Sequence, residues 1–236
     1  MSEVNFSVDN ITISNFVHQI ISPLNGILGT LDNLVEFNDF DKQKLTATKA
    51  QLAKTIEMIR NLAYISQLST KEGISSFVSK NQRFNVSTLI INAIQFFQTS
   101  AKGRDVKIFH EVNEQYWVNG HESLLKQVIM NMVDNALKYG TQGKDIWVKA
   151  HIRKKDNLLC IEIINNGCGF DFSEKEDIFS LGYRGKDAKN LKAGGSGIGL
   201  FICKQIIEEV HHGTIMAEHS RKNGNTTFRI LLPHCK

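Results

Sequence analysis

The sequence predicts an α+β protein: an N-terminal antiparallel helical hairpin over residues 1–70, a linker at 71–82, and an α/β sandwich at 83–236 with a mixed sheet and three helices on one face. Three observations carry this. Apolar residues recur at intervals of three and four across 13–68, the period of helices that bury one side. Alternating apolar residues at 145–153 and 158–164, and again at 214–220 and 226–232, read as two β-hairpins, the second turning through an Asn-Gly pair. Two glycine clusters, at 165–170 and 194–199, sit where apolar segments end or begin.

Residues 1–12 are polar and carry no pattern. Residues 13–37 place Phe16, Val17, Ile20, Ile21, Leu24, Ile27, Leu28, Leu31, Leu34 and Val35 at helical intervals around an interior Pro23. That proline removes one backbone hydrogen bond and bends the axis, and Gly26 adds local freedom. A polar turn at 38–41 leads to a second helix at 42–68, where Leu45, Leu52 and Ile59 repeat every seven residues. A two-helix hairpin with this much apolar surface cannot cover itself, so it is expected to pair with a second copy as a four-helix bundle. The Ser-, Thr- and Lys-rich stretch 69–82, with Gly73, reads as a linker. Beyond it come a short strand at 83–86, a helix at 87–101, a strand at 106–112 and a short strand at 117–118.

The helix at 124–140 organises the rest. Leu124, Leu125, Val128, Ile129, Met132, Val133, Ala136 and Leu137 form its buried side, while Asn131, Asn135 and Lys138 project from another stripe beside Tyr139. Carboxamide oxygens bind hard cations, a lysine meets phosphate oxygens, and a tyrosine ring packs on a base. Alone, an Asn-x-x-x-Asn on a helix is equally well a solvated face. The glycine clusters shift that balance, because a glycine run passing into a helix lets backbone N–H groups approach a phosphate closely.

The order Asn131-x-x-x-Asn135-Ala-x-Lys138-Tyr139, then Asn165-x-Gly167-x-Gly169, then Ile178-Phe179 with Gly182-Tyr183-Arg184-Gly185, then Gly195-Ser196-Gly197-Ile198-Gly199-Leu200 resembles the ATP-binding domain of sensor histidine kinases, with its N, G1, F and G2 boxes. Phe16 to Gly26, with His18 four residues before Ser22 and five before Pro23, resembles the same family's H box. The resemblance implies Mg-ATP, with the cation on Asn135 and Asn131. Lys138 and the amides of Gly195, Ser196, Gly197, Gly199 and Leu200 would take phosphate. Adenine would lie between Tyr139 and the segment holding Asn165, Gly167, Gly169 and Phe170, and Arg184 would contact the γ-phosphate. The catalytic set it implies is His18, Gln19, Ser22 and Asn131, with His18 the phospho-acceptor. Phosphate would pass to the receiver domain of a response regulator, Ser22 positioning water for a reverse phosphatase reaction, and an upstream sensor domain or partner would supply the signal.

Two positions depart from the family pattern, each by an amide in place of a carboxylate. Gln19 stands where the family has Glu or Asp, and a glutamine cannot act as a base at pH 7. Asn165 stands where the family has the aspartate that receives the adenine amino group. These substitutions support a competing reading as a non-catalytic dimerising adaptor that retains nucleotide. The polar stretch 171–193, acidic first and basic later, is expected to be an ATP lid hinged at Gly182, Gly185, Gly194 and Gly195.

Charge fits an anionic ligand in the second part. Residues 1–70 hold 5 basic and 7 acidic side chains, net −2, and the remainder 23 and 17, net +6. No basic and aromatic cluster argues for nucleic acid. The four cysteines lack metal-ligand spacing, and no apolar run of about 18 residues argues for membrane insertion. A homodimeric cytoplasmic protein is expected.

Overall fold

The computed structural model describes residues 10–36, 42–185 and 196–235, and in the first two helices the side chains of 10–19, 35–36, 42–43, 50, 53–54 and 57, His18 and Gln19 among them, lie outside what is described. The chain divides into two compact units, Met1–Thr70 and Lys71–Lys236.

The first unit is two helices of 27 residues, α1 (Asn10–Glu36) and α2 (Lys42–Leu68), packed on each other. Pro23 lies inside α1 without ending it. Its carbonyl accepts a hydrogen bond from Gln51 Nε2 of α2 at 3.1 Å, and Gly26 leaves room for that amide, since a Cβ there would stand 2.9 Å from it. Buried Thr48 and Thr55 satisfy their hydroxyls on the carbonyls of Lys44 and Gln51. Ile27, Leu34, Ile65 and Leu68 are buried, whereas Ile21, Leu24, Leu28 and Leu31 on α1 and Leu45, Leu52, Ile56 and Ile59 on α2 are exposed. The seven-residue repeat of α2 therefore faces outward.

The second unit begins with a helix where a linker was expected: α3 (Lys71–Val78). The composition reading missed an amphipathic spacing. Ile74, Phe77 and Val78 are half-buried on one side, and the Phe77 ring meets His121 edge-on at 5.4 Å. Then follow β1 (Gln82–Asn85), α4 (Val86–Lys102), β2 (Ile108–Val112), β3 (Trp117–Gly120), α5 (Glu122–Tyr139), β4 (Ile146–Arg153) and β5 (Leu158–Asn166). Two 3-10 turns, Phe172–Glu174 and Asp177–Phe179, precede α6 (Gly199–Gln205), whose end widens into a π turn at Ile206–Val210. The hairpin β6 (Thr214–Ser220) and β7 (Asn225–Pro233) closes the chain.

The main sheet has the order β2-β4-β5-β7-β6, parallel only between β2 and β4, so it is mixed as expected; β1 and β3 pair separately. Alternation decides its faces. Ile146, Val148, Ile161, Ile163, Phe228, Ile230, Ile215 and Ala217 are buried, against the side where α4, α5 and α6 pack. Trp147, Lys149, Glu162 and Arg229 stand on the other face, where Lys149–Glu111 and Arg229–Glu162 pair at 2.9 Å.

His211, just past the π turn, joins α5 to the last helical segment. It is buried, its Nδ1 donates to the Ile206 carbonyl at 3.1 Å, and its Nε2 accepts from the His121 N–H at 3.2 Å. Gly120 is what admits the ring, for a Cβ there would meet it at 2.4 Å. Burial, first of all, lowers the His211 pKa from 6.5. The unfolded chain thus takes up a proton that the folded chain resists. Stability from this site is complete above about pH 6.5 and is lost as pH falls through the folded-state value. Thermal melts should therefore show Tm declining from pH 7.5 to 5, and His211→Gln, which cannot titrate, should flatten the decline. An unchanged slope in that variant would assign the decline to other groups.

Candidate functional site

The site is assembled around a close backbone crossing. Gly140 at the end of α5 bridges Gly167 at the end of β5, with Thr141 N–H on the Asn166 carbonyl at 2.8 Å and Cys168 N–H on the Tyr139 carbonyl at 2.9 Å. A Cβ on Gly167 would lie 2.3 Å from the Tyr139 carbonyl oxygen and 2.7 Å from Gly140 Cα, so only glycine fits. Gly167 N–H also reaches the Gly224 carbonyl in the β6–β7 turn at 3.2 Å, and Asn166 Nδ2 donates to Asn223 O there at 2.7 Å.

Along α5 the polar stripe is not uniform. Asn131 is 7% exposed, its Oδ1 accepts from Gln127 Nε2 at 3.0 Å, and its Nδ2 donates to Cys203 Sγ on α6 at 3.7 Å. Burial pushes the Cys203 thiol up to about 12, so it stays neutral. One turn on, Asn135 is half-buried and its amide makes no hydrogen bond to another described residue. The two asparagines expected to act together are thus differently placed. Asn131 fixes α5 to α6, whereas Asn135 presents a hard oxygen donor. Lys138 Nζ stands 5.4 Å from the Tyr139 ring centroid. The Tyr139 phenol is hydrogen-bonded by Arg184, bringing that expected phosphate contact beside the helix, while burial raises the phenol's pKa.

The second glycine cluster meets α5 at Gly199 and the Gly182–Tyr183 turn at Gly197. Gly199 lies beside Asn131, where a Cβ would be 3.8 Å from Nδ2. Gly197 adopts φ +71° and its carbonyl accepts the Gly182 N–H at 3.1 Å; a side chain at 197 would collide with Gly182 and Tyr183. Ser196 Oγ accepts from Ile198 N–H at 3.4 Å, and Leu200 is half-buried in the first turn of α6. Gly195 falls in 186–195, outside the described residues. The described part of the expected lid is pinned by a buried carboxylate. Glu174 takes the Asp171 N–H on Oε2 at 2.9 Å and the Tyr183 hydroxyl on Oε1 at 2.7 Å, a bond that pushes the Tyr183 pKa up to about 12.

Asn165 is 3% exposed on the helix-facing side of the sheet, in register with Thr226, which is in turn in register with His219. His219 Nδ1 and Thr226 Oγ1 lie 3.0 Å apart, the imidazole covers Gly169, and its centroid is 6.1 Å from the Phe170 ring. Sequence reasoning missed Thr226 and His219. Carrying the period-2 alternation through the second hairpin would have put both in phase with Asn165. In the first unit, His18 and Gln19 belong to α1, and Ser22 is exposed on it.

Residues 120–236 match the family described as histidine kinase-, DNA gyrase B-, and HSP90-like ATPases. The chain is 24% identical over 226 residues to the sensor histidine kinase WalK of Bacillus subtilis strain 168, covering 94% of this chain and 36% of that protein. It is 29% identical over 221 residues to the heme sensor protein HssS of Staphylococcus saprophyticus, covering 92% and 45%. The chain thus spans less than half the length of these two curated relatives. Among solved structures, histidine kinase ThkA in complex with the response regulator protein TrrA has the same fold, with a TM-score of 0.67 at 20% identity over 96% of this chain and 62% of that chain.

The crossing at Gly167 yields a stability test. Gly167→Ala forces a Cβ onto backbone, whereas Gly143→Ala meets nothing within 4 Å and is strained only by its φ of +74°. We expect Gly167→Ala to cost roughly 1–3 kcal/mol more, read as the difference in denaturant midpoint. Equal losses would mean that the crossing yields without cost.

Proposed function

Because the chain belongs to the histidine kinase family and carries its catalytic core, we propose that it binds Mg-ATP, phosphorylates its own His18 and passes the phosphoryl group to an aspartate on a response regulator. The observation that carries this is that α5, which carries Asn135 and has Lys138 beside Tyr139, meets the start of α6 where Gly199 lies against Asn131. Among the described residues no group of three or more His, Cys, Asp or Glu could hold a metal ion. Mg2+ would be held by Asn135 and would supply charge neutralisation to the phosphates. Lys138 and Arg184 supply positive charge to the phosphates, and Asn165 faces the base.

In the chemical step the neutral imidazole of His18 attacks the γ-phosphorus in line. A P–N bond forms, the bond to the β–γ bridging oxygen breaks, and ADP leaves. The imidazole proton passes to water, because Gln19 cannot take it. Exposed Ser22, one turn along α1, can orient water for the reverse phosphatase reaction. The acceptor is an aspartate of a receiver domain, in keeping with the complex that ThkA forms with the response regulator TrrA, and an upstream sensor or partner supplies the signal. We place the protein in the cytoplasm; among the described residues no helix is long and apolar enough to cross a membrane.

The first unit supplies the dimer. Among the described residues, eight large apolar side chains on α1 and α2 are exposed, Leu28 at 59% and Leu45 at 54%, and a second hairpin would cover them. Sedimentation at tens of micromolar should give a dimer, and Leu52→Glu with Ile59→Glu should give a monomer. A monomeric parent at that concentration would remove this assignment.

Gln19 also supports a second reading, an adaptor that binds nucleotide and a regulator without efficient phosphorylation. Incubation with γ-labelled ATP distinguishes the two. We expect label that is stable to alkali and lost in acid, absent from His18→Gln although that variant keeps its nucleotide affinity. Gln19→Glu should raise the rate, by up to the 10²–10⁴-fold that general-base help typically contributes. Label persisting in His18→Gln would sink the acceptor assignment. No label in parent or Gln19→Glu, with ATP bound, would establish the adaptor.

A further inference from the structure

At one end of the helix-facing side of the sheet, three polar side chains stand in register: Asn165 on β5, Thr226 on β7 and His219 on β6. The next rows on that face are apolar, first Ile163, Phe228 and Ala217, then Ile161, Ile230 and Ile215. Polar groups in this row therefore answer to something other than packing. Thr226 and His219 satisfy each other at 3.0 Å. Asn165, only 3% exposed, makes no side-chain hydrogen bond to another described residue. Its oxygen and nitrogen are therefore the groups of this row with capacity left for a ligand. Gly169, lying under the His219 imidazole, and the Phe170 ring complete a site with flat walls.

The chemistry of the amide sets what it can read. A carboxylate only accepts hydrogen bonds. A carboxamide offers an acceptor on one side and a donor on the other, and a half-turn of χ2 exchanges them. Adenine presents an amino donor at position 6 beside an acceptor at N1; a 6-oxopurine presents an acceptor at position 6 beside an N1–H donor. Asn165 can pair with either edge. We propose that the base site takes 6-oxopurine nucleoside triphosphates as well as ATP. This rests on the reading of the site as a nucleotide site.

The test is calorimetric titration of the full chain, with Mg2+, by ATP and by inosine triphosphate, which differs from ATP only at purine positions 6 and 1. The expected dissociation constants agree within about tenfold. In Asn165→Asp, affinity for ATP should hold or rise, while the preference for ATP over inosine triphosphate grows by about a hundredfold or more, as a fixed acceptor faces the 6-oxo group. A parent that binds ATP and discriminates more than tenfold against inosine triphosphate overturns the proposal. So does an unchanged preference in a folded Asn165→Asp protein. If that variant does not fold, the parent comparison decides alone. Binding of neither nucleotide would remove the nucleotide site itself, and the proposed function with it.

Discussion

Everything in the second unit depends on how closely the end of β5 passes the end of α5. The crossing of Gly167 and Gly140 fixes Tyr139 by its own carbonyl, and through Asn166 and Gly224 it ties the β6–β7 turn to the same point. Helix and strand meet there backbone to backbone, which is why a methyl group cannot be added at Gly167. The Lys138–Tyr139 pair, Asn165 and the Gly169–Phe170 segment then inherit their positions from backbone geometry. Side chains placed in this way stay put without needing contacts of their own.

The two asparagines of α5 show how one helix can do two jobs four residues apart. Asn131 is consumed by Gln127 and Cys203 and locks α5 against α6. Asn135, less buried, keeps its donor oxygen. One accepted hydrogen bond holds the Asn131 amide in place and leaves its oxygen a second lone pair. Substituting Asn131 would therefore disturb the site through the spacing of the two helices.

Much of this was legible in the sequence. The 3.6-residue period marked both long helices, and alternation marked the two hairpins, because burial on one face imposes those periods directly. Residues 71–78 were misread for a physical reason: serine and lysine fill the outer side of α3, and its three apolar contacts, Ile74, Phe77 and Val78, are too few to dominate composition. Thr226 and His219 were missed because their role comes from strand register, which no local motif encodes. The different fates of Asn131 and Asn135 were equally hidden. They follow from how α6 approaches α5, a fact of tertiary packing.

The inert thiols have a practical consequence. Alkylating reagents react with thiolate, yet burial pushes Cys160 on β5 up to about 11 and Cys203 on α6 higher still. Neither sulfur is attacked while its surroundings are closed. Because one sits in the sheet and the other in the helical layer, their modification rates time two separate opening events within one polypeptide. The native sequence thus carries its own pair of clocks, one reporting when the sheet loosens and one when α6 leaves α5.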